Sequence, residues 1–300
     1  MSDVTALGNS AGNRQLKSVG DPTEDYDAVN LRTLSWMMES LRDEFQQQLQ
    51  EQQEQLQQMQ QQIDSLQSLV DAFASDSSSS DNFVCGTSTV TDYDGNTYNT
   101  VQIGNQCWMK ENMRATKYSD GTSITQASVS QESSTTRYYY NPGQAENYGY
   151  LYNWPAAKGP SSVSANNQGI CPTGWHVPSD GEWTQLTQYV GSQSNYLCSN
   201  NSTYIAKALA STTGWNSSSN TCAVGNTPAS NNATSFGAVP AGSHSGSSFG
   251  TSGNYATFWS STEYSGSYAY YHGLEYVRAN VYSSNYGDKG RGYSVRCLRD

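Results

Sequence analysis

Charge is scarce in this 300-residue chain. Only 14% of residues are Asp, Glu, Lys or Arg, and 15 basic residues face 26 acidic ones, a formal net charge of −11. No cluster of Lys and Arg occurs, which argues against a nucleic-acid partner, since binding a polyphosphate relies on clustered cations that release its counterions. No apolar run approaches the roughly 18 residues that span a bilayer, so membrane insertion is not expected. The three histidines, His176, His244 and His272, lie far apart and carry no metal or triad signature. No CxxC or Cys/His spacing points to zinc, and no cofactor is expected. Hydrophobic residues make up 35% of the chain and mean hydropathy is −0.70, so a core must be confined to part of it. The first residues, MSDVTALGNSAGNRQ, have neither the basic start nor the apolar stretch of a secretory signal. The expected way out of a cell is therefore another route, such as lysis.

The polarity comes instead from Ser, Asn, Gln, Thr, Gly and Tyr. Six cysteines, Cys85, Cys107, Cys171, Cys198, Cys222 and Cys297, all lie beyond residue 82. An even number in one region suggests disulfides, for which six cysteines allow fifteen pairings; the alternative is buried free thiols, as in a cytosolic protein.

Four segments follow from the patterning. Residues 1–30 are polar and aperiodic and read as an N-terminal attachment segment. Residues 31–74 read as a coiled coil. Leu49, Leu56, Ile63 and Val70 occupy a positions, with Gln52, Met59, Leu66 and Phe73 at d. Leu34, Met38, Leu41 and Phe45 continue the seam upstream in a shifted frame, a stutter that locally unwinds a supercoil. The mixture at a and d favours a homotrimer. A single amphipathic helix or a disordered Gln tract is the competing reading. Residues 75–82, SDSSSSDN, read as a Ser-rich linker. Residues 83–300 then form an α+β domain of short strands and a few helices. Within it, Asp94-Gly95-Asn96 and Gly104-Asn105 mark turns on either side of Thr97–Ile103. Ser179-Asp180-Gly181-Glu182 is a capping box opening a helix with Trp183, Leu186 and Val190 on one face.

The segment Phe258–Asp300 holds 8 of the 22 tyrosines, interspersed with Ser, Asn, Gly, His and Arg. Tyr offers large amphipathic contact area at low entropy cost, and small polar residues adapt their hydrogen bonds. The composition is that of a binding surface. Its expected members are Tyr268, Tyr271, His272, Tyr276, Arg278, Asn280, Tyr282, Ser283, Asn285, Tyr286, Asp288 and Arg291. Ala269, Leu274, Val277, Val281 and Val295 are the expected inward anchors, with a bulge near Leu274 and Val277, where strict alternation fails.

Several stretches resemble a known family in order: Asp92–Gly121, Tyr148–Ala157, Cys171–Trp183, Ser235–Gly242, Phe258–Tyr264 and Tyr293–Asp300 are similar to the Fibrobacter major paralogous domain. That resemblance implies a C-type-lectin-like fold over 83–300, and a disulfide between Cys171 and Cys297, since such folds tie a cysteine beside the first helix to one in the last strand. The C-terminal stretch also resembles the variable region of proteins diversified by retroelements, in which Asn codons scatter into Tyr, Ser, Asp, His, Gly and Arg. Every expected surface position is compatible with that code; Glu275 is not. Leu16–Pro22 followed by Asp27–Leu31 resembles a junction of phage tail-fibre proteins.

Catalytic signals are thin. Gly246-Ser247-Ser248-Phe249-Gly250 matches G-x-S-x-G, but no apolar strand precedes it. Asp92, Asp94 and Asn96 could offer oxygens to Ca²⁺, although Asp-Gly-Asn is first a turn. His176 reads as a structural residue. The chain is therefore expected to be a receptor-binding protein of a phage tail fibre, not an enzyme, located in the virion. Its partners would be two further copies of itself, other tail proteins through the N-terminus, and a protein or glycan of the bacterial surface. A bacterial surface or secreted adhesin of the same fold is the alternative, and a glycan-active enzyme a more distant one.

Overall fold

The computed structural model describes residues 31–76, 83–128, 131–160, 167–246, 248–250 and 252–300. The expected attachment segment, with its tail-fibre-like junction, lies outside them. The chain separates into two compact units, residues 1–82 and 83–300.

In the first unit a single helix, α1, runs over Leu31–Asp76. At 1.5 Å per residue its 46 residues reach about 69 Å. It extends two residues into the stretch expected to be a linker, whose remainder lies outside the described residues. Glutamines brace its outer face through i,i+4 bonds such as Gln60 to Asp64, 2.9 Å. The seam side chains from Leu34 to Leu66 are 47–64% exposed. The side chains of Val70 and Phe73 lie outside the described residues.

The second unit is mixed α+β and rich in β-structure. Its strands β1 (Thr89–Thr91), β2 (Thr97–Ile103) and β3 (Gln106–Met109) form a meander. Asp92 closes the first turn, its carboxylate accepting from the backbone N–H of Asp94 and Asn96 and from the Tyr98 hydroxyl. The turn reading of Asp92 is the one observed. Among the described residues no group of three or more His, Cys, Asp or Glu is placed to hold a metal. Gly104, at φ 60°, closes the second turn with the Tyr189 ring 2.9 Å from where a Cβ would stand, so a side chain there meets both strain and a clash.

Short elements follow: β4 (Thr125–Gln126), β5 (Tyr138–Tyr140), α2 (Ala145–Tyr148), β6 (Leu151–Tyr152), α3 (Trp154–Lys158) and β7 (Trp175–His176). The capping box forms as expected and opens α4 (Asp180–Ser192), which buries Trp183, Leu186 and Val190. After α5 (Ala206–Leu209) come the β8–β9 hairpin (Ser243–Ser245, Ser248–Gly250), β10 (Tyr255–Glu263), β11 (Tyr268–Glu275), β12 (Tyr282–Asp288) and β13 (Leu298–Arg299). The G-x-S-x-G match falls on that hairpin, with Ser248 opposite Ser245. This is no strand-to-helix elbow of the kind that exposes a nucleophilic serine.

The last strand is inserted between early ones, in the order β1-β2-β3-β13-β7, and β10-β11-β12 form a separate antiparallel sheet. Three disulfides join Cys85–Cys107, Cys171–Cys297 and Cys198–Cys222. Two apolar clusters meet at the β10-β11-β12 sheet. Trp259, Ala269, Tyr293 and Val295 belong to one, and Phe258 and Leu274, with Trp183 and Leu186 of α4, to the other. Alternate residues of β10 and β11 thus enter different cores, so mid-sheet both faces are covered.

Candidate functional site

The β10-β11-β12 sheet carries eight of the twelve positions expected to bind a ligand, Tyr276, Arg278, Asn280 and Arg291 lying in the segments that flank β12, and the twelve are not presented as one surface. At the Tyr268 end of β11 three rings stand out: Tyr264 is 49% exposed, Tyr268 41% and Tyr286 52%. Tyr264 and Tyr286 stack with centroids 4.1 Å apart, Tyr268 meets Tyr286 edge-on at 5.7 Å, and Tyr270 meets Tyr264 edge-on at 5.4 Å. The pairings Tyr270 with Tyr286 and Tyr268 with Asp288 place these side chains together. Between them Gly287 faces inward, where a Cβ would stand 2.9 Å from the Tyr293 hydroxyl. A side chain there would have to displace the Tyr293 ring, so Gly287 leaves room for that ring on the inner face at this end.

The turn bearing Tyr264 is held from below. Lys289, 5% exposed, reaches the Glu263 carboxylate and donates to the carbonyl of Gly266 at 2.9 Å. Its ammonium also lies 4.6 Å from the centre of the Trp154 ring, a favourable position for a cation. Lys289→Ala is accordingly expected to loosen residues 264–267, which faster amide hydrogen exchange there would register.

The other expected members fare differently. His272 is not on the surface: it is 0% exposed. Its Nε2 lies 2.9 Å from Asp180 Oδ1 and its ring stacks on Trp183, centroids 5.3 Å apart. Burial lowers its pKa to about 4, against the opposing pull of the Asp180 carboxylate. The sequence reading failed here because α4, ninety residues earlier, covers this position. Tyr271 is half-buried in the first core against Tyr293, and Tyr276 packs on the second core. A contact surface built on those two is not what the sheet offers. Of the expected anchors, Ala269, Leu274 and Val295 are buried, Val281 is half-buried on the second core, and Val277 falls in the turn after β11. The register irregularity lies between Tyr271 and Gly273 in the β11–β12 pairing, close to the expected bulge.

At the far end of β11, Glu275 organises a second group. Its carboxylate accepts from Tyr255 (3.2 Å), Arg278 (2.7 Å) and the Tyr282 hydroxyl, while the Arg278 guanidinium lies 5.1 Å from the Tyr282 ring centre. Burial opposes the charge on Glu275, and these donors outweigh it, lowering its pKa. Asn280 is exposed beside α4. Asp288 and the exposed Arg291 border a cleft of about 370 Å³ with Glu132, Ser133 and Ser134. Ser283 and Asn285 lie in β12, and their side chains are outside the described residues.

Tyr264 and Tyr270 were missed by sequence reasoning, which counted Tyr264 only as the end of the family-like stretch Phe258–Tyr264. The signal available was Ser265-Gly266-Ser267, a turn that must end β10 and expose its neighbours. His176 holds a structural place: Nε2 is 2.8 Å from Glu182 Oε1 and Nδ1 2.6 Å from Asp300 Oδ1. Burial disfavours its charged form, and the two carboxylates overcome that and raise its pKa.

The molecule is thus an α+β domain, stapled by three disulfides, that presents aromatic and polar side chains from a doubly covered sheet. Its sequence matches the Fibrobacter succinogenes major domain over residues 101–299, and the chain belongs to that family. No curated protein and no solved structure matches the chain.

Proposed function

We propose that this chain is the receptor-binding protein of a phage tail fibre, a homotrimer whose C-type-lectin-like domains attach to a protein or glycan on the bacterial surface. The observation that carries the reading is the exposed group Tyr264, Tyr268 and Tyr286 on a fixed sheet end. Interface energy concentrates in Tyr, Trp and Arg, and rigid aromatics lose little entropy on contact. The exposed apolar seam of α1 from Leu34 to Leu66 supports assembly, because apolar stripes of this length are normally buried against other helices. The tail-fibre-like junction at Leu16–Leu31 favours a virion over the second reading, a bacterial surface or secreted adhesin.

Retroelement diversification belongs to the same proposal. Exposed Tyr268, Arg278, Asn280, Tyr286 and Arg291 are where exchange costs least, whereas burial of His272 restricts that position. Sequencing the neighbouring DNA tests it: a template repeat and a reverse-transcriptase gene are expected, and their absence would remove diversification from the reading.

The binding test uses labelled full-length protein on a panel of bacterial strains. Saturable binding to some strains is expected. The triple change Tyr264→Ala, Tyr268→Ala, Tyr286→Ala should weaken it at least about 30-fold, equivalent to one hot spot of about 2 kcal/mol, with an unchanged melting temperature. Undiminished binding by the triple variant would refute the platform. For assembly, light scattering should give three times 32.7 kDa, and Leu56→Asp with Ile63→Asp should yield monomers. A monomeric unaltered protein would sink the fibre reading.

A further inference from the structure

We infer that the domain has a second binding site, separate from the tyrosine platform, which takes an uncharged saccharide unit. It is a cleft of about 530 Å³ between the C-terminal half of α4, the loop 202–205 and the turn at 280–281. Ile205 and Val281 form an apolar floor on the second core, and Thr187, Gln188, Ser202 and Asn280 supply hydroxyls and amides around it.

The three walls are held before any ligand arrives. Helix α4 meets the loop so closely at Gly191 that a Cβ there would stand 2.6 Å from the Ser202 carbonyl oxygen. The loop is anchored by the Cys198–Cys222 disulfide and by the Cys198 N–H donating to the Tyr204 carbonyl at 3.1 Å. The turn is tied down by the Ala206 N–H, which donates to the Ala279 carbonyl at 3.0 Å. A preformed cleft avoids the ordering cost that weakens binding to mobile loops.

The lining selects the chemistry. None of its nine residues is charged, although the chain carries a net charge of −11. An ionic ligand would lose hydration and gain no counter-charge. A purely apolar ligand would cover amides and hydroxyls without bonding them, which costs more than the apolar contact returns. A pyranose has a C–H face for the floor and hydroxyls for the rim, and so meets both requirements.

The site is also remote from the platform. Tyr268 and Glu275 stand at opposite ends of β11, seven residues of strand apart or roughly 23 Å. Buried His272 and Leu274 lie between them, and the cleft takes Asn280 and Val281 from the turn that enters β12 at the Glu275 end. One monosaccharide cannot touch both sites.

The test is saturation-transfer NMR on the full chain with glucose, galactose, mannose and N-acetylglucosamine, alongside glucuronic acid and glucosamine. At least one neutral sugar should bind saturably, with Kd on the order of millimolar, and the two charged sugars at least tenfold more weakly. Asn280→Trp, which fills the cleft from an exposed position, should abolish the signal, and Gln188→Ala should reduce it several-fold. Both variants should keep the parental melting temperature. The triple tyrosine variant should bind the sugar normally, so loss of cell attachment and loss of sugar binding separate. No saturable neutral sugar, equal binding of charged sugars, indifference to Asn280→Trp, or loss in the tyrosine variant would each overturn the second site.

Discussion

Replacing Cys171 and Cys297 by serine should cost the domain about 5 kcal/mol, the chain-entropy value for the long loop they close. The two cysteines are 126 residues apart and both fully buried. The bond fastens the end of the chain, where the Cys297 carbonyl accepts from Met109 and β13 pairs with both β3 and β7. Without it, the unfolded chain regains the freedom of the whole intervening sequence. For a domain of this size the melting temperature should fall by roughly 10–20 °C in non-reducing calorimetry. Cys85–Cys107 spans only 22 residues, and its removal should cost about 3 kcal/mol on the same basis. A loss below about 1 kcal/mol for the Cys171/Cys297 pair would show that the surrounding packing alone holds the terminal strand.

The second large effect is in pH dependence and comes from a histidine that composition had assigned to the surface. His272 is buried with its pKa lowered to about 4, from an unfolded value near 6.5. Between those values the unfolded chain binds more protons than the folded one. The stabilisation is therefore complete above pH 6.5 and is lost as pH falls towards 4. Its size is up to about 3 kcal/mol, from the linkage of pKa to stability. His176 acts with the opposite sign. Its folded pKa is raised by Glu182 and Asp300, so its contribution is present below the unfolded pKa and fades as pH rises through the folded value. Urea unfolding at several pH values should show His272→Gln flattening the acid limb and His176→Gln flattening the alkaline one. Parallel profiles for His272→Gln and the parent would mean that residue 272 is not held as a buried neutral ring.

Much of the local structure was legible in advance. Steps of three and four marked the helix through Leu49, Leu56 and Ile63, because a 3.6-residue turn repeats its face at that interval. Ser179 and Glu182 announced the start of α4, since a capping box satisfies donors a helix end cannot satisfy itself. Asp92 and Gly104 marked turns by their own backbone chemistry. The Cys171–Cys297 pairing came from family resemblance, and spacing alone left fifteen possibilities open.

The candidate binding surface was only half legible, for a physical reason. Period-two alternation says that Tyr268, Tyr270 and His272 share a face of β11, and they do. It cannot say how far along that face a helix lies. The capping of α4 at Ser179 and the contact of Asp180 with His272 cover the strand from residue 272 onward and leave Tyr268 bare. Side-chain type and spacing thus determined the helix seam, the turns and the alternating pattern of the sheet. Which tyrosines meet solvent, which histidine is silenced and where a cleft opens were decided by tertiary structure alone, because burial depends on elements that pack from distant parts of the chain.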